Sequence, residues 1–216
     1  VKKIGLFLAG VLFASAPNYA SSLSISPKTS QSASKNEIKD PRLAEFPNLF
    51  IVDHPLVHHK LTLARSKQAG SHAFRQLLSE IALLIGYEIT RSLPTKTVGI
   101  ETPMTSMKAK KIYENSIVIV PILRAGLGMA EGLHALIPTA DIAHIGLYRD
   151  PKTKQPVEYL FKIPPIKNQT FIVVDPMLAT GNSSSYAIAR LIKAGVPADK
   201  ILFMALVVAP EGMRVF

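Results

Sequence analysis

Three short runs limit what this chain can fold into: SIVIVPIL at residues 116–123, FIVV at residues 171–174 and ILFMALVV at residues 201–208. Each is rich in β-branched residues and none alternates with polar positions. That pattern predicts strands buried on both faces, which belong to parallel sheets covered by helices. A further buried strand is expected at 142–148 and a short one at 97–101. The segments between them carry helical spacing. In residues 71–93 the apolar positions are Phe74, Leu77, Leu78, Ile81, Leu84, Ile85 and Ile89, with Ser71 as N-cap and Pro94 beyond the end. A second helix follows Gly126 and Gly128 through Met129, Leu133 and Leu136. A third runs from about 183 to 194, with Gly195 as the residue after its cap. Residues 151–155 read as a turn and 157–163 as an extended arm before Pro164 and Pro165. No internal repeat is visible. The expected fold class is α/β, a mainly parallel twisted sheet flanked by helices.

Length and composition narrow the class further. The 216 residues suit one compact domain, and the absence of cysteine excludes disulfides and thiolate metal sites. Lys and Arg number 25 against 15 Asp and Glu, a net charge of +10 that suits a polyanionic partner, nucleic acid or a phosphorylated small molecule. No basic patch interleaved with aromatics stands out, so nucleic acid is not expected.

The amino terminus reads differently from the rest. Lys2 and Lys3 precede an apolar run over residues 4–16, and small residues at 14–16 and 18–20 offer cleavage positions. This is the layout of a secretory signal peptide, and a start placed too far upstream explains it equally well. The run is too short for a membrane-spanning helix. Residues 21–35, rich in Ser, read as a disordered linker. Residues 1–40 are therefore set apart from a domain expected over 41–216.

In open α/β folds, ligands sit beyond the carboxyl ends of the strands, so the chemistry is sought just after Leu123, Tyr148 and Val174. After Val174 comes Asp175-Pro176-Met177-Leu178-Ala179-Thr180-Gly181-Asn182-Ser183. An acid closes a buried strand there, and a loop opens a helix whose first N–H groups and dipole favour a phosphate. Thr180 and Ser183 add hydroxyl donors. Asp175 is placed to accept hydrogen bonds from ribose hydroxyls. A plain strand–turn–helix with Asp175 and Thr180 as caps reads the same way. Arg124 leaves a strand beside Gly126 and Gly128, and Arg149 leaves another, each able to fork onto phosphate oxygens. His54, His58 and His59 lie close together in sequence, but tetrahedral metal spacing is missing, so no metal site is assigned.

These segments, in this order, resemble the uracil phosphoribosyltransferase family. The matching stretches are HPLVHHKLTLAR, FRQL with YEITRSLP, ETPMT, IVIVPILRAGLGM, HIGLYRDP with PVEY, VVDPMLATGNS and LVVAPEGM, spanning residues 53–213. The resemblance implies the phosphoribosyltransferase sheet with a partial hood over the base. It also implies transfer of a phosphoribosyl group from 5-phosphoribosyl-1-diphosphate to uracil, giving UMP and diphosphate, with Mg²⁺ bound alongside the donor. By motif, Arg124 and Asp175 are the catalytic residues. Arg124 and Arg149 bind the donor's diphosphate, and Asp175 with Pro176, Met177, Leu178, Ala179, Thr180, Gly181, Asn182 and Ser183 holds its ribose and 5′-phosphate. The family further implies a homo-oligomer, a GTP activator in some members and a cytoplasmic enzyme; a true signal peptide would instead imply export. A non-catalytic donor-binding or RNA-binding regulator of the same fold is the alternative.

Two departures stand out. The family's Thr-Gly-Gly-Ser becomes Thr180-Gly181-Asn182-Ser183; Asn tolerates left-handed backbone angles better than most residues, so the loop is expected to survive with modest damage. Family members also continue past Phe216 with a strand and a Gly- and Asp-rich segment that contacts uracil. The expectation is therefore a C-terminally truncated domain with a largely intact donor half-site, an absent acceptor half-site with no assigned uracil-reading residues, poor turnover or none, and a sheet edge left bare.

Overall fold

The protein was analysed as a computed structural model, which describes residues 5–9, 45, 46, 48–153 and 155–215. In chain order the strands are β1 (Gly5–Ala9), β2 (Leu49–Val52), β3 (Thr95–Glu101), β4 (Ser106–Ile112), β5 (Ile117–Leu123), β6 (Asp141–Ile142), β7 (His144–Arg149), β8 (Pro156–Lys162), β9 (Thr170–Val174), β10 (Met177–Leu178), β11 (Ile201–Ala205) and β12 (Val207–Val208). The helices are α1 (Pro55–Ala64), α2 (Ser71–Ile89), α3 (Leu127–Leu136), α4 (Asn182–Lys193) and α5 (Pro210–Val215).

The main sheet has the order β2-β1-β11-β9-β5-β7-β8, with β6 also pairing β5. All its pairings are parallel except β7 with β8. Alternation along each central strand sorts the core into two halves, because successive side chains leave opposite faces. Ile117 and Ile119 of β5, Ile172 and Val174 of β9 and Met204 of β11 join a cluster with α1, α2 and α3. Val118, Val120 and Ile122, Phe171 and Val173, and Phe203 and Ala205 join the opposite cluster with Ala187, Ile188 and Leu191 of α4. The runs lack polar alternation because both faces are covered. The α/β class expected from sequence is the observed one.

Several boundaries and pairings differ from expectation. Ser71 opens α2 as its first residue; Gly70 is the N-cap, and no side chain caps the helix. The helix ends at Ile89 and a short 3-10 turn, Thr90–Ser92, leads to Pro94. The short strand expected at 97–101 is one half of a two-stranded hairpin, β3 with β4, which stands apart from the main sheet. The extended arm is β8, hydrogen-bonded antiparallel to β7.

The larger difference lies at the amino terminus. Residues 5–9 belong to the stretch set apart from the domain, yet they form β1, parallel to β11 on one side and β2 on the other. This edge of β11 is thus covered, Gly5 through Leu8 pairing with Leu202 through Ala205. An apolar run suits an inner strand as well as a leader, which is why the sequence alone did not separate them. The cleavage positions and the linker at 21–35 lie outside the described residues.

Candidate active site

The register of β5 brings the site together. β5 lies between β9 and β7, with Pro121 opposite Val174 on one side, and Ile122 and Leu123 opposite Ile145 and Gly146 on the other. Arg124, Arg149 and Asp175 therefore emerge at one carboxyl edge of the sheet, where the three strands end together. The Leu123–Arg124 peptide is cis. Gly126 then turns back under the loop. Its N–H donates to the Ile122 carbonyl at 2.9 Å, and a Cβ on it would meet the Val174 carbonyl and the Ile122 nitrogen. No side chain fits between the arginine loop and the residue just before Asp175.

Asp175 is the electrostatic centre of this edge. Burial pushes its carboxyl up to about 6, while a hydrogen bond from the Met177 N–H and the positive charge of Arg149 pull the other way. The Met177 N–H lies 3.5 Å from its Oδ1, a weak contact, and the carboxylate has no ion-pair partner among the described residues. Arg124 and Arg149 are both exposed and likewise enter no ion pair among the described residues. Asp150 is committed elsewhere: the N–H groups of Lys152 and Thr153 donate to it at 2.9 and 2.8 Å and hold its carboxyl below the usual range. Two unpaired guanidinium groups beside an underused carboxyl suit a ligand with both anionic and hydroxyl groups.

The loop after Asp175 is held from behind. The Pro176 carbonyl accepts from the Leu206 and Val207 N–H groups, each at 3.1 Å, and β10 pairs β12 in parallel. Leu178 is buried and anchors the loop, while Met177 stays exposed. Gly181 has φ 79, a left-handed angle that glycine adopts at no steric cost. Asn182, by contrast, is the first helical residue; the one non-glycine residue with positive φ among those described is Asn115. The left-handed position of this loop thus belongs to Gly181, and the change from glycine to asparagine at 182 puts no strain on the turn. No side chain caps α4, and the Ser185 N–H is the one that bonds back to the Gly181 carbonyl, at 2.8 Å. The amides of Asn182, Ser183 and Ser184 are left at an open helix start, where an anion is favoured.

A polar cluster fixes α4 against β8. Glu158 accepts from Arg190 Nε at 3.1 Å and from the Tyr186 hydroxyl at 3.4 Å, and the Arg190 guanidinium lies 3.6 Å over the Phe161 ring. β8 pairs β7, so the strand ending in Arg149 and the helix opening at Asn182 are tied together. Two of the clustered histidines serve structure. His54 caps α1, its Nδ1 accepting from the Leu56 N–H at 3.2 Å, and His58 pairs Asp53 at 2.7 Å. Among the described residues no group of three or more His, Cys, Asp or Glu could hold a metal ion, and no helix is long and apolar enough to cross a membrane.

A family model for uracil phosphoribosyltransferase matches residues 51–216. The chain belongs to the uracil phosphoribosyltransferase family. A uracil phosphoribosyltransferase of Rhodospirillum centenum is 59% identical over 172 residues, covering 80% of each chain. One from Ralstonia pickettii is 53% identical over 178 residues, covering 82% of this chain and 81% of the relative. Among solved structures, a protein of Aquifex aeolicus superposes with a TM-score of 0.66 at 25% identity, covering 73% of this chain and 85% of that one.

Sequence reading picked out Arg124, Arg149 and the loop from Asp175 to Ser183, and these meet at one edge. It missed the Glu158–Arg190–Tyr186 cluster, in which Glu158 lies 28 and 32 residues from Tyr186 and Arg190 with no local pattern joining them. It also missed the support that the loop receives from α5, where the APEG segment of the matched motif was the available signal.

Proposed function

We propose that this protein transfers a phosphoribosyl group from 5-phosphoribosyl-1-diphosphate to uracil, giving UMP and diphosphate. The observation that carries the proposal is one sheet edge, in a member of this family, bearing two arginines without an ion pair among the described residues, a partly buried carboxyl and a helix start with no side-chain cap. In this reading the amides opening α4, with Thr180 and Ser183, receive the 5′-phosphate. Asp175 accepts from the ribose hydroxyls and so holds the sugar with its anomeric carbon open. Arg124 and Arg149 bind the diphosphate. Pro176, Met177, Leu178, Ala179, Gly181 and Asn182 shape the loop. As the bond to the anomeric carbon breaks, negative charge collects on the departing diphosphate oxygens and positive charge on the sugar. The arginines stabilise the first because they already face that edge, with no reorganisation needed during the step. Holding the sugar in place lowers the entropic cost of meeting the uracil nitrogen.

The donor set suits magnesium carried in by the substrate. Asp150 is engaged by its own loop, which leaves Asp175 as the free carboxyl among the described residues of this edge, too few oxygens for a protein cage, and Mg²⁺ commonly binds through substrate phosphates. When bound it neutralises diphosphate charge. We extend the proposal to a homo-oligomer, to GTP as an activator, to a cytoplasmic location, and to a transferase domain over residues 41–216 whose sheet is completed by β1 at residues 5–9. The regulator alternative is not favoured, since relatives at 51–59% identity carry the transferase name.

The test supplies donor and Mg²⁺ with uracil, cytosine or hypoxanthine and identifies products by chromatography. UMP from uracil alone supports the proposal. A nucleotide formed from hypoxanthine but not from uracil overturns it.

A further inference from the structure

We infer that Gly212 is a positioning residue for the donor's ribose phosphate, acting through the loop from Leu178 to Gly181. This rests on the donor-cradle reading above. α5 packs its backbone directly against the back of that loop. A Cβ on Gly212 would collide with the Ala179 carbonyl and lie 2.8 Å from the Leu178 carbonyl oxygen. Both obstacles are backbone atoms, which cannot turn aside as a flexible side chain can. The contact is reciprocal: a Cβ on Gly181 would lie 2.7 Å from the Gly212 carbonyl and 3.1 Å from Val215 Cβ. Two hydrogen bonds frame the junction, the Ala209 N–H to the Leu178 carbonyl at 2.9 Å and the Ser185 hydroxyl to the Val215 carbonyl at 3.4 Å. Met213, next in sequence, is buried in the core cluster shared with α4 and holds α5 down.

Peptide planarity turns this packing into a statement about the ligand side. In a trans peptide the C=O and the following N–H point in opposite directions. With the Ala179 carbonyl turned toward Gly212, the Thr180 N–H is turned away from it. With the Leu178 carbonyl held by Ala209, the Ala179 N–H is turned away likewise. Gly212 thus sets the direction of two loop amides without touching a ligand. A methyl group there must push the loop by roughly half an ångström, and misplacements of about 1 Å cost on the order of a hundredfold in well-oriented sites.

The test is calorimetric titration of the full chain with 5-phosphoribosyl-1-diphosphate and Mg²⁺, comparing wild type with Gly212→Ala, Ser185→Ala and Arg214→Ala. The expected result is a Kd weakened about tenfold or more by Gly212→Ala and about two- to fivefold by Ser185→Ala. Arg214→Ala, which removes an exposed pair with Glu45, should leave it unchanged. A purely structural role for Gly212 would lower melting temperature and binding stoichiometry but leave the Kd of the folded fraction alone. Gly212→Ala binding as tightly as wild type overturns the inference. If Gly212→Ala does not fold, Ser185→Ala decides, and wild-type affinity there overturns it. If wild type itself fails to bind the donor, the functional reading falls and takes this inference with it.

Discussion

Replacing Asp175 with Asn separates what the residue costs the fold from what it gives the site. Burial raises the carboxyl from an ordinary 3.8 to about 6, so the folded protein holds its proton more tightly than the unfolded chain. Between those values the folded state binds more protons, and stability falls as pH rises through the window. Above about pH 6 the charged, poorly solvated carboxylate carries its full cost. The difference between 3.8 and about 6, at 1.36 kcal/mol per pH unit, comes to about 3 kcal/mol. Asn has the same shape, stays neutral at every pH, and its carbonyl oxygen can still accept from the Met177 N–H. At pH 8 Asp175→Asn should therefore be more stable by about 1–3 kcal/mol, a rise in Tm of roughly 3–10 °C for a chain of this size. At pH 4 the gap should shrink to roughly 0.5 kcal/mol, because the folded carboxyl is then neutral and only the unfolded chain's is still partly ionised. Donor affinity should fall at least about tenfold, since a carboxylate accepts from hydroxyls more strongly than an amide. The assay is calorimetric melting from pH 4 to 8 beside donor titration at pH 8. A variant no more stable at pH 8, or a stability gap that widens toward pH 4, would refute the reasoning.

Gly126→Ala should destabilise by about 1–3 kcal/mol, because its Cβ meets the Val174 carbonyl and the Ile122 nitrogen, and should lower kcat/KM at least about tenfold; urea unfolding and initial rates check both. Glu158→Leu should cost about 1–3 kcal/mol, because it leaves the Arg190 guanidinium half-buried without its carboxylate, and urea midpoints read this directly. Deleting residues 1–20, as cleavage at either candidate position would in effect do, removes β1 from between β11 and β2. That change should lower stability by on the order of 3 kcal/mol or more and raise light scattering, since a parallel strand edge is opened.

The core of the fold was legible because its strands are buried on both faces and so write continuous apolar runs. Residues 171–174 and 201–208 fell within a residue or three of β9, β11 and β12. Helical spacing likewise located α2, α3 and α4. What escaped depends on partners distant in sequence. β8 looked like an arm, because Pro156–Lys162 has no clear pattern until β7 is placed beside it. β4 was invisible for the same reason, its Lys-rich stretch becoming a strand by pairing with β3. β1 was mistaken for a segment outside the fold because five apolar residues suit either a leader or an inner strand. In the site, strand-end logic found Arg124, Arg149 and Asp175, whereas Gly212 and Glu158 reach it through other residues and leave no local signature. That Gly181 turns left-handed while Asn182 begins the helix was not legible, since composition cannot tell which residue of the loop does which.

The most direct test follows the conversion of 5-phosphoribosyl-1-diphosphate and uracil by phosphorus NMR, with wild type and Arg124→Ala run side by side in Mg²⁺. The account predicts matched growth of UMP and diphosphate signals with wild type, and a rate at least about a hundredfold lower with Arg124→Ala, as expected for loss of a charge that stabilises the leaving group. UMP formed equally fast by both proteins would contradict it.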